Sequence, residues 1–146
     1  MWVGHPMIDL TKKLPLKKDA RTILNLRSNQ NILLLMPASR PQELRYVLPT
    51  FMKAAKKLQQ KYPSLVVYIP SCRSSFDEIF KKALRKYQVK GHVISQKYSA
   101  KLKPYIYSLT KIAFCKSGTV NMELALYGIP QIVGYRVSRV TAFIAK

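Results

Sequence analysis

Two short stretches carry side chains of the types that handle a phosphate or a sugar. Ser117-Gly118-Thr119 follows an apolar run over 112–115 and precedes helix-forming residues over 119–127. That order sets the carboxyl end of a strand against a helix N-terminus, whose first backbone N–H groups lack intrahelical partners and favour an anion or a sugar hydroxyl. Ser117 or Thr119 suits a cap on the first turn, and Gly118 allows a tight turn or the close approach of a ligand. Glu123 stands about one turn further on, one of 6 Asp and Glu in the chain, within reach of whatever the loop holds. The second stretch, Pro37-Ala38-Ser39-Arg40-Pro41, closes an apolar run over 32–36 in the same manner. Here Ser39 offers a hydroxyl, Arg40 a guanidinium able to bind two oxygens together, and Pro41 fits a first helical turn. Each feature also has an ordinary structural explanation. Ser39 and Gln42 have capping-box spacing, Gly128-Ile129-Pro130 reads as a helix stop, and a glutamate in a first turn complements the helix dipole.

These loops need elements to hold them in place. A helix is expected over 41–62, with Leu44, Val47, Leu48, Phe51, Ala55 and Leu58 on one face and Lys53, Lys56 and Lys57 in water. A strand over 65–69 leads to a helix over 76–87, capped by Ser74 or Ser75, with Phe76, Ile79, Phe80, Ala83, Leu84 and Tyr87 as its apolar stripe. Lys81, Lys82, Arg85 and Lys86 fall on its outer face. A short strand over 92–95 and a weaker helix over 101–109 follow, with Pro104 in the first turns of that helix and Tyr98, Tyr105 and Tyr107 as packing residues. A strand over 131–135 and a helix from Val140 behind Ser138 close the pattern. Five alternations of strand and helix predict an α/β fold, a Rossmann-like parallel sheet flanked by helices, which binds ligands beyond the carboxyl ends of its strands. Both loops lie at such ends. The Gly-x-Gly-x-x-Gly and Gly-Lys-Ser/Thr signatures are absent, which disfavours dinucleotide enzymes and phosphate-loop NTPases.

Composition narrows the partners. Lys and Arg number 26 and the net charge is +20 at pH 7, so phosphate-bearing partners are favoured, whether nucleotide, anionic membrane or nucleic acid. The aromatics follow core spacing and do not interleave with the basic residues, which argues against a nucleic-acid platform. Cys72 and Cys115 read as reduced thiols, and two histidines without ligand spacing give no basis for a metal site. No apolar run approaches the roughly 20 residues of a membrane span.

Ser117-Gly118-Thr119, Glu123-Leu124-Ala125, Gly128-Ile129-Pro130 and Tyr135-Arg136-Val137, in this order and spacing, resemble the C-terminal region of the lipid-A-disaccharide synthase family. These are nucleotide-sugar glycosyltransferases of the GT-B type, with two Rossmann-like domains. Pro37-Ala38-Ser39-Arg40 stands where the family reads Pro-Gly-Ser-Arg, and Ala38 in place of that glycine raises the expectation of weakened nucleotide binding. Gly4-His5-Pro6 stands where the family crosses between domains. The resemblance implies an interdomain junction and basic linker over 1–30 and a truncated nucleotide-sugar-binding domain over 31–146. It implies inverting transfer of a diacylglucosamine unit from UDP to lipid X in lipid A synthesis, with no cofactor and no metal. Ser39, Arg40, Ser117, Gly118 and Thr119 would hold the diphosphate and Glu123 the ribose; Ile94 and Ser95 would meet the nucleobase. No catalytic residue is assigned: the base on the acceptor hydroxyl is expected in the missing domain, and His5, beside a proline turn, reads as structural. UDP-diacylglucosamine, lipid X and an anionic membrane surface are the expected partners. The expected location is the cytoplasm, at the inner membrane in a bacterium, or the mitochondrion in a plant-type eukaryote. The competing reading is a non-enzymatic basic module that binds anionic membrane or nucleic acid.

Overall fold

The computed structural model describes residues 13–134. His5 within Gly4-His5-Pro6, the Tyr135-Arg136-Val137 motif and the helix expected from Val140 lie outside the described residues. The strands are β1 (Asn31–Met36), β2 (Leu65–Pro70), β3 (Gly91–Ile94), β4 (Thr110–Lys116) and β5 (Gln131–Gly134). The helices are α1 (Lys17–Ile23), α2 (Pro41–Lys61), α3 (Ser74–Lys86), α4 (Gln96–Leu109) and α5 (Thr119–Leu126). All strand pairings are parallel, in the order β3-β2-β1-β4-β5.

The uninterrupted apolar runs of β1 and β2 follow from burial on both faces. Side chains alternate across a strand, so Leu33, Leu35, Val67, Ile69 and Phe114 face α2 and α3 in one core cluster. Ile32, Leu34, Val66, Tyr68, Ala113 and Cys115 meet α1, α4 and α5 in the other, where Ala20, Ile106 and Leu124 are fully buried. Within the stretch read as junction and linker, α1 is therefore a packed helix set against α4.

Several boundaries differ from the sequence reading. α4 begins at Gln96, because the Ser95 carbonyl accepts from the Tyr98 and Ser99 amides at 3.0 Å and starts the helix ahead of its apolar stripe. Pro104 thus sits inside α4, not in its first turns. The carbonyl it deprives of a partner belongs to exposed Ala100. Tyr98 and Ile79 were expected to pack, yet they are 52% and 43% exposed, at the margins of their helical stripes. Neither Ser74 nor Ser75 caps α3: the helix starts at Ser74, with Arg73 as N-cap and no side-chain cap.

One register pair sets a steric limit on the sheet. Gly91 lies opposite Val67, and a Cβ on it would stand 2.6 Å from the Val67 carbonyl oxygen and 2.8 Å from its Cβ. Backbone cannot give way as a side-chain tip can, so Gly91→Ala should destabilise the chain by about 1–3 kcal/mol. Urea unfolding would read this as a lowered midpoint. An unchanged midpoint would mean that β3 is not held against β2 in this register.

Candidate functional site

The strand order decides where a ligand can enter. From β1 the chain moves outward through β2 and β3, then returns to the other side for β4 and β5. The connections after β1 and β4 therefore leave in opposite directions and open a crevice at the carboxyl ends of these paired strands. A cleft of about 410 Å³ lies there. Ser39, Arg40 and Glu43 line it from one side, and Lys116, Ser117, Gly118, Thr119 and Glu123 from the other, with Pro37, Cys72 and Phe80 among the remaining walls. The five residues assigned to a diphosphate and the one assigned to a ribose thus surround one space. A larger hollow of about 700 Å³ beside Arg85, Lys90 and His92 lies at the amino end of β3, where no strand-to-helix loop converges.

On the first side α2 starts at Pro41, with Arg40 as an extended N-cap and no side-chain cap. The Ser39–Gln42 capping box does not form, because the helix begins one residue later than that spacing requires, and both side chains are exposed. Ala38 causes no strain. The described non-glycine residues with positive φ are Asn25 and Gln88, and Ala38 packs against the core cluster beneath α2. The glycine expected by resemblance is not demanded by the backbone here.

On the second side the cap of α5 differs from the expectation. The N-cap is Gly118, and neither Ser117 nor Thr119 caps the helix. The Asn121 side chain reaches back and accepts the Gly118 N–H at 2.7 Å. The Asn121 amide nitrogen donates to Cys115 Sγ and to Gln131 Oε1, both at 3.0 Å, and Gln131 returns a bond to the Asn121 carbonyl at 2.8 Å. This network ties the loop to β4 and β5. Gly118 has φ 166°, extended backbone open to any residue, and a Cβ there would meet nothing within 4 Å. Its expected role in a tight turn is not needed. The positive φ falls at Gly128, φ 65°, where the amides of Gly128 and Ile129 close the helix onto Ala125 and Leu124.

Both carboxylates of the cleft are ion-paired. Lys116 Nζ lies 2.8 Å from Glu43, joining the end of β4 to the first turn of α2. Lys103 of α4 reaches both oxygens of Glu123, at 2.8 and 3.2 Å. Arg40, Lys103 and Lys116 thus set three cations against two carboxylates around the cleft. Beneath Glu123, burial and the neighbouring carboxylate hold the proton on the Tyr107 hydroxyl by raising its pKa well above the usual phenol range. That hydroxyl is buried and, among the described residues, has no hydrogen-bond partner.

The cleft does not extend to Ile94 and Ser95. They stand at the end of β3, with β2 between them and β1, and the Ile94 carbonyl accepts the Ser71 amide at 2.8 Å. The sequence placed Lys116 in the candidate loop over 116–119 without a role, and singled out neither Lys103 nor Asn121. Lys116 had a usable signal: it is the polar end of an apolar strand that delivers a loop. Lys103 had none, since its partner lies on another element, whereas Asn121 stands three residues after its N-cap, Gly118, at the spacing of a reciprocal cap.

The whole chain, residues 1–146, matches the family model described as lipid-A-disaccharide synthetase. It is 50% identical over 145 residues to the lipid-A-disaccharide synthase of Prochlorococcus marinus (strain MIT 9313), covering 99% of this chain and 37% of that protein. The enzymes of the same name from Gloeothece citriformis (strain PCC 7424) and Synechocystis sp. (strain ATCC 27184 / PCC 6803 / Kazusa) are 35% and 36% identical, each over 99% of this chain and 36% of their own length. The chain therefore spans little more than a third of these relatives. Among solved structures, a glycosyl transferase family 9 protein from Veillonella parvula DSM 2008 superposes with a TM-score of 0.62 at 11% identity, over 84% of this chain and 35% of that one, which shows a shared fold.

The geometry separates the two thiols. Cys72 is exposed on the cleft, whereas Cys115 is buried, and burial raises its pKa despite the opposing bond from Asn121. A raised pKa leaves less thiolate at a given pH, so alkylation at pH 8 should modify one thiol per folded chain, at Cys72. Peptide mapping would locate it. Equally fast labelling of Cys115 would contradict the Asn121–Cys115–Gln131 network.

Proposed function

We propose, from the premise that this chain belongs to the lipid-A-disaccharide synthetase family, that its cleft binds the UDP portion of a UDP-sugar donor in the glycosyl transfer that makes the lipid A disaccharide. One observation carries the reading: two helix N-termini, the hydroxyls of Ser39, Ser117 and Thr119, and Arg40 converge at the point where the strand order reverses. A departing diphosphate develops charge on its oxygens, and positioned N–H dipoles and cations stabilise it most where water is limited. In this reading Ser39, Arg40, Ser117, Gly118 and Thr119 bind the diphosphate. Glu123 accepts from the ribose hydroxyls. Its carboxylate has several lone-pair sites, so holding Lys103 leaves acceptor capacity for that role.

Transfer also requires a base on the acceptor hydroxyl, so that the new C–O bond forms as the proton leaves and UDP departs. Both carboxylates of the cleft are already paired with lysines, which makes them poor candidates. The acceptor site, with lipid X and its base, is accordingly assigned to the part of the relatives that these residues do not span. Diacylglucosamine as the donor sugar belongs to the same proposal. No helix among the described residues is long and apolar enough to cross a membrane, and Lys81, Lys82, Arg85 and Lys86 are exposed on α3. That face suits peripheral contact with anionic lipid at the cytoplasmic side of a bacterial inner membrane.

Titration calorimetry of the purified chain tests the reading. UDP should bind, and Arg40→Ala should weaken it by about tenfold to a hundredfold, the range of a charge-assisted hydrogen bond. Undiminished UDP affinity in a folded Arg40→Ala variant would remove Arg40 from the diphosphate site. Failure of the unsubstituted chain to bind UDP would overturn the proposed function.

A further inference from the structure

We infer that Lys116, paired with Glu43 in this structure, is a direct diphosphate-binding residue of the cleft, and that its ammonium, still held by Glu43, bridges that carboxylate to phosphate oxygens when the nucleotide binds. The inference rests on the proposed UDP site and adds to it a residue to which the sequence assigned no role.

The placement of Lys116 follows from the strand. It is the last residue of β4, two positions beyond Phe114, and alternation directs its side chain to the same face, over α2. β4 pairs with β1 on one side and β5 on the other, Cys115 lying opposite Met36 and Lys116 opposite Gly134. The side chain therefore spans the reversal point from the loop after β4 to the helix after β1. It lines the same cleft as Ser39, Arg40 and Gly118. A lysine built only to fill a core edge would be covered, and one built only for solubility would be fully in water. Lys116 is 20% exposed and Glu43 24%, so the pair is largely sheltered yet open to the cleft.

Electrostatics then assigns the roles. A diphosphate placed against the first turn of α2 would face Glu43, and like charges at such range repel strongly where water is limited. The ammonium is the group that lets both anions occupy the cleft, since Lys116 bonds one Glu43 oxygen at 2.8 Å and a lysine can donate three bonds. Glu43 holds the long, flexible side chain at the strand end before the nucleotide arrives. Lys116 is thus a binding residue and Glu43 a positioning residue.

The experiment compares UDP with uridine, which lacks the phosphates, on the purified 146-residue chain and two variants. Lys116→Met should lower UDP affinity by about tenfold or more, leave uridine affinity within twofold, and flatten the salt dependence of UDP binding. Glu43→Gln removes the negative charge while keeping an oxygen that can accept from Lys116, so it should lower UDP affinity by less than Lys116→Met does. Thermal unfolding checks that both variants are folded. Equal loss of UDP and uridine in Lys116→Met would show a merely structural bridge and overturn the inference, as would a Glu43→Gln loss as large as that of Lys116→Met. If the unsubstituted chain binds UDP and Lys116→Met binds it equally well, the inference alone fails. If the unsubstituted chain binds no UDP, the proposed site fails and the inference with it.

Discussion

The pairing of β1 with β4 is the constraint on which the rest depends. Five residue pairs are in register, Ile32 with Thr110 and Leu33 to Met36 with Ile112 to Cys115, and side chains of these two strands enter both core clusters, one on each face of the sheet. Because these strands are sequence-distant yet adjacent, the chain must leave them on opposite sides. Each departing loop then runs into its own helix, α2 or α5, with first-turn amides directed toward the crevice. The cleft is a consequence of topology before it is a consequence of any side chain. What the side chains add is charge.

That charge is distributed economically. In a chain of net charge +20 with 6 Asp and Glu, two of the carboxylates line the cleft, and each has a lysine partner from a different element. Glu123 is tied to α4 and Glu43 to β4, so the two pairs brace the cleft from both sides of the sheet. Their net stability contribution is modest, since partly exposed pairs are screened. Their larger effect is geometric. They fix where cations stand, while Asn121 fixes the Gly118 amide, and a preorganised site loses less entropy when an anion is bound. The Lys81–Glu78 pair on α3, exposed on both partners, braces nothing comparable.

Much of this was legible in the sequence. The runs over 32–36 and 65–69 announce strands buried on both faces, and their alternation with amphipathic stripes implies the parallel sheet and the strand ends where Ser39, Arg40 and Ser117 to Thr119 meet. Local signals failed where a partner lies far along the chain. Ser117 and Thr119 are good capping residues by type, yet Asn121 supplies the contact because Gln131 and Cys115 hold its amide in place. The start of α4 carries no apolar periodicity, since Gln96, Lys97 and Tyr98 are exposed. Of the two uses a glycine at position 38 would have, positive φ and the close approach of a phosphate, the backbone has no need of the first. Lys116–Glu43 joins residues 73 apart, which no window-based reading can pair.

The central claim is that UDP occupies the crevice between the loops after β1 and β4. An amide chemical-shift titration of the isotopically labelled chain with UDP tests it most directly, because it reads every described backbone N–H at once. Saturable shifts are expected at 38–43 and 117–121, the first turns of α2 and α5 and the loops that feed them. Shifts centred on Arg85, Lys90 and His92 at the far edge of the sheet, or no shift at all, would contradict it.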